Sequence, residues 1–68
     1  MIQIVFEVTE SGEGGFEASA FGHRIHAQGD DWDDLKAMVQ DAVRCHFDEA
    51  ERPALIRLFF TWEEVLSP

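Results

Sequence analysis

Ile2, Ile4, Phe6 and Val8 alternate with Gln3, Val5, Glu7 and Thr9 at the start of the chain. A period of two sends the first set to one face of an extended segment, and the β-branched content suits a pleated, half-buried strand. Glu10-Ser11-Gly12-Glu13-Gly14-Gly15 is polar and glycine-rich, as a tight turn needing positive φ requires. Phe16, Ala18 and Ala20 then alternate with Glu17, Ser19 and Phe21. After Gly22 the alternation resumes, with Ile25 and Ala27 set against Arg24, His26 and Gln28. These are a second and a third strand. A connection as short as Phe21-Gly22-His23 makes them antiparallel neighbours, because so few residues allow the chain only to turn back on itself.

The period then changes. Leu35, Met38, Val39, Ala42, Val43, His46 and Ala50 recur at spacings of three and four, with Asp33, Ala37, Gln40, Asp41, Arg44 and Asp48 facing away, so one amphipathic helix is predicted, ending before Pro53. Asp31 is its expected N-cap, and Asp34 three residues on makes a shorter version of the capping box. Asp30, Asp31, Asp33 and Asp34 also sit at the positive end of the helix dipole. Past Pro53, Leu55 to Trp62 reads as a fourth strand. Ile56, Leu58, Phe60 and Trp62 share one face; Leu55, Arg57 and Phe59 share the other. Two apolar faces predict that it lies deeper than the first strand. Glu63 to Pro68 is a short tail whose Val65 and Leu66 are available to dock.

The predicted architecture is α+β, a single β-β-β-α-β domain over residues 1–68. It comprises an antiparallel three-stranded meander, a helical crossover to a fourth strand, and one helix packed on one sheet face. The helix stripe is expected to cover Ile2, Ile4, Phe6, Phe16, Ala18, Ala20, Ile25, Ala27, Ile56, Leu58 and Phe60. Val5, Phe21, Phe59 and Trp62 are left on the uncovered side or at its edges. Together with Glu7, Glu17 and Arg57 they form the candidate interface for a partner or a second copy, where apolar burial contributes about 25 cal/mol per Å².

Length sharpens that expectation. A chain of 68 residues buries only about 60% of the surface its unfolded form exposes, and such scaffolds gain support from disulfides, a metal or self-association. A lone Cys45 permits no intrachain disulfide and no thiolate pair for structural zinc, which leaves a homo-oligomer, a dimer above all. The net charge of −9 repels phosphate backbones and anionic membranes, so neither direct nucleic-acid nor membrane binding is expected, whereas a small basic protein would be attracted. The N-terminal apolar run is short, is interrupted by Gln3 and Glu7 and has no basic residue ahead of it, unlike a signal peptide or a membrane span; a cytoplasmic location is the expectation.

No catalytic residue, metal ligand set or cofactor is predicted. His46 reads as a core histidine in the apolar stripe. His23 and His26, at odd spacing, point to opposite strand faces and do not suit one metal ion. The helix-start aspartates lack the spacing and following glycine of a calcium loop, and capping accounts for them. Cys45 has no supporting base, since helix neighbours point about 100° apart. Gly12-Glu13-Gly14-Gly15 lacks the lysine of a phosphate loop.

Gly14-Gly15-Phe16-Glu17-Ala18, Gln28-Gly29-Asp30, Leu35, and Val39 through Ala42 to Phe47 carry a family likeness. Over residues 2–62 the chain resembles the N-terminal domain of HicB-type antitoxins. The resemblance implies a partial ribonuclease H-like fold without a catalytic centre, which neutralises a small basic toxin of double-stranded-RNA-binding fold and often self-associates. The stretch between strands two and three is shortened here to Phe21-Gly22-His23. A DNA-binding segment is also missing, so a stand-alone member without transcriptional autoregulation is the expectation.

Overall fold

The computed structural model describes residues 2–60 and 66–68. Its elements are β1 (Gln3–Glu10), β2 (Phe16–Ala20), β3 (His26–Gly29), α1 (Trp32–His46) and β4 (Leu55–Phe60). The four strands form one sheet in the order β3-β2-β1-β4. β1–β2 and β2–β3 are antiparallel, and β4 runs parallel to β1 on its far side. The α+β architecture read from the chain is the one observed, with the helical connection carrying the chain from the β3 edge of the sheet to the β4 edge.

The alternation decides the core. Ile4, Phe6 and Val8 face Ala20, Ala18 and Ile25–Ala27 on one side and Ile56, Leu58 and Phe60 on the other, all on the helix side of the sheet. Leu35, Val39 and Val43 descend from α1 onto them and are buried. Phe6 is fully buried at the centre. Small residues at 18, 20 and 27 let the helix sit close over β2 and β3, since a helix–sheet gap is filled by interdigitated side chains at near-crystalline density.

Two glycines set this geometry. A Cβ on Gly29 would run into the backbone nitrogen and Cα of Leu35, so the first turn of α1 docks onto β3 only with glycine there. In the β1–β2 turn, Gly14 has φ 95°, a conformation that L side chains rarely adopt. Asp31 caps α1, its Oδ1 accepting from the Asp34 N–H at 2.7 Å, while Asp34 Oδ2 accepts from the Asp30 N–H at 2.9 Å, one residue further back than in the usual reciprocal box. At the same end Trp32 packs edge-on against Phe16 (5.5 Å) and Phe60 (6.0 Å), tying α1 to β2 and β4.

Four expectations are corrected. β4 is a sheet edge and not the deeper strand: no residue of Leu55–Phe60 is buried, because α1 lies over the β3–β2 half and β1 takes the central place. Ile2 is 78% exposed, being beyond the sheet and the helix. The helix stops at His46, where the Phe47 N–H returns to the Val43 carbonyl at 3.1 Å. Ala50 therefore belongs to a separate turn, and Met38 and His46 lie on the solvent side of the stripe. His46 is thus no core histidine; its ring meets His23 (6.1 Å) and Phe47 (4.8 Å) edge-on at the surface.

Candidate interaction surface

Among the described residues nothing covers the side of the sheet away from α1, and the strand registers define that face. Val5 stands beside Arg57 of β4, and Glu7 beside Phe59. On the other flank Glu7 meets Ser19, and Thr9 meets Glu17. Extending the register one step past β2 sets Phe21 opposite Val5, where its N–H donates to the Val5 carbonyl at 2.9 Å. Five of the residues expected at an interface, Val5, Glu7, Glu17, Arg57 and Phe59, are thereby carried on one face by three neighbouring strands. Phe21 joins them just beyond β2, and Trp62 lies outside the described residues.

The apolar members are accessible. Phe59 is 65% exposed, Phe21 56% and Leu55 55%, while Val5 and Glu7 in the central strand are half-buried by their neighbours. Large apolar side chains this exposed, arranged on both sides of a central strand and bordered by charge, have the composition of a binding surface. Toward β3 the face turns polar. Gln28 Nε2 donates to Glu17 Oε1 at 3.3 Å, and the Ser19 hydroxyl and His26 Nδ1 are 2.9 Å apart. The face is thus graded, apolar with one cation at β4 and hydrogen-bonding at β3.

Leu55, Ser19, His26 and Gln28 belong to this surface although sequence reasoning had not placed them in the site. Period-two alternation already puts Leu55 with Arg57 and Phe59, and that was the signal available for it. The Ser19–His26 and Glu17–Gln28 pairs depend on the β2–β3 register, which the alternation leaves open by two-residue steps.

Elsewhere, an open cleft of about 660 Å³ lies between the β1–β2 turn and the start of α1, lined by polar and acidic groups including Ser11, Glu13, Glu17, Asp30 and Asp34. Among the described residues no three His, Cys, Asp or Glu side chains gather as a metal site, and no buried side-chain polar atom lacks a hydrogen-bond partner. Cys45 is exposed. No helix of the described residues is long and apolar enough to cross a membrane.

The comparison with known proteins fits a small domain of this kind. A UPF0150 protein of Archaeoglobus fulgidus is 48% identical over 52 residues, spanning 76% of this chain and 77% of that protein. The chain belongs to the UPF0150 family. A second UPF0150 protein, from Thermotoga maritima, is 47% identical to this UPF0150 chain over 47 residues, covering 69% of it and 67% of the relative. No family model and no solved structure matches.

Proposed function

We propose that this UPF0150 chain is a non-catalytic, antitoxin-like module that sequesters a small basic protein on its uncovered sheet face, as its likeness to HicB-type antitoxins implies. The observation that carries the reading is the composition of that face. Exposed Phe21 lies opposite the half-buried Val5 and exposed Phe59 beside Glu7, with Glu17 on the same side, in a molecule of net charge −9. Burying exposed aromatics supplies affinity, and the acidic field steers a cationic partner and speeds its association.

The test uses Phe21→Asp, a change at an exposed position across β1 from β4. The wild-type chain is immobilised and presented with lysate of its own source cells at low and high salt. The expected result is a small basic protein retained at low salt and bound at least about tenfold more weakly by the variant, in line with loss of an aromatic anchor. Expressed alone, that protein is expected to arrest growth, and the UPF0150 chain to relieve the arrest. Retention of no basic protein at low salt, or retention of one whose toxicity this chain does not relieve, contradicts the proposal.

A further inference from the structure

The two sheet edges differ. β3 has four residues, ends in Gly29 and runs into Asp30 and Asp31, so shortness and negative charge discourage another strand from pairing there. β4 has none of these protections. It is six residues long, apolar except for Arg57, and carries no carboxylate. On the helix side, a shallow groove of about 150 Å³ between α1 and β4, lined by Lys36, Val39, Gln40, Ile56 and Leu58, leaves Ile56 and Leu58 only half-covered.

The backbone of β4 has a defined outward set. The Leu55 N–H donates to the Ile2 carbonyl at 3.1 Å. In a parallel ladder the residues that bond a neighbour alternate with residues that turn both their groups away. Leu55, Arg57 and Phe59 therefore address β1, and Ile56, Leu58 and Phe60 present N–H and C=O groups to whatever lies beyond the edge.

We infer that β4 pairs antiparallel with β4 of a second copy about a two-fold axis at Leu58, joining two sheets into one of eight strands. Such an axis brings together residues of the same face, so it passes through a residue position. Centred on Arg57 it would set two guanidinium groups opposite one another. Centred on Leu58, it uses all three outward residues of each copy in about six inter-strand hydrogen bonds. Leu58 then meets Leu58, and Ile56 meets Phe60, both on the helix side. On the uncovered face each Arg57 lies opposite Phe59 of the second copy, in the closely spaced non-hydrogen-bonded position where a cation over an aromatic ring is favourable. Two molecules of charge −9 repel, and pairing along Leu55–Phe60 sets no carboxylate of that strand against another. The pairing also makes the uncovered faces continuous, with each copy supplying Phe59 beside the other's Arg57. It does not depend on the existence of a basic partner.

Its test uses the purified chain alone. Light scattering is expected to give twice the monomer mass, and Phe59→Lys, at an exposed position, to weaken association about tenfold by setting like charges opposite at two symmetric positions. Adding Arg57→Glu to Phe59→Lys should restore it. For register, Arg57→Cys and Phe59→Cys are each made with Cys45→Ser: mixed under oxidation they are expected to cross-link, while Arg57→Cys by itself does not. A monomer at all concentrations, a dimer indifferent to Phe59→Lys, or cross-linking of Arg57→Cys by itself overturns the inference. A monomer that nevertheless captures the basic partner would leave the binding function standing and the pairing refuted.

Discussion

Gly29 and Asp31 govern a junction where β3 hands the chain to α1 within a few residues. The Leu35 backbone occupies the space that a side chain at Gly29 would need, so Gly29→Ala must push the helix off the sheet or distort both. Overpacking of this sort costs typically 1–3 kcal/mol, in a domain whose whole stability is about 0.05–0.15 kcal/mol per residue. A large drop in the denaturant midpoint is the expected result, and an unchanged midpoint would contradict the close approach. Asp31→Ala removes the acceptor of the Asp34 N–H and should cost about 1 kcal/mol, measured by the same titration. The cap was legible because an aspartate directly before an apolar 3.6-residue pattern has few other roles. The steric need for Gly29 was not, since it arises from the approach of two elements, and sequence only marked the glycine.

At the scale of elements, period-two and period-3.6 patterns were enough to give all four strands, the helix and the residues on each sheet face. They misplaced β4. Leu55–Phe60 is apolar on both sides, the pattern of a buried strand, yet it stands at the edge. Pattern reports how much apolar surface an element carries and not which neighbour covers it. The strand order, set by a crossover that returns the chain beside β1, decides that. Likewise His46 kept the helical spacing of the core stripe but fell in the last turn of α1, where it is exposed and its ring meets His23 and Phe47 edge-on. Backbone amide exchange should reflect the same hierarchy: Phe6 and Val8 in β1 the slowest, and the outward amides of Ile56, Leu58 and Phe60 faster in dilute protein than at high concentration, where pairing covers them. Outward β4 amides as slow as those of β1 at every dilution would mean that the edge is covered within one chain.

For the whole molecule, the one helix among the described residues, fifteen residues long, is too little to cover both sides of four strands. It leaves a face carrying Val5, Phe21 and Phe59 beside acidic groups, and the proposed sequestration of a basic partner rests on that asymmetry. Its electrostatic part should fade with salt, as surface charges do once the Debye length falls from about 10 Å at 0.1 M to about 3 Å at 1 M. The most direct test is hydroxyl-radical footprinting of the free protein, read residue by residue for the phenylalanines. Phe21 and Phe59 are expected to be modified rapidly and Phe6 to be protected; Phe21 and Phe59 as protected as Phe6 would contradict an uncovered face.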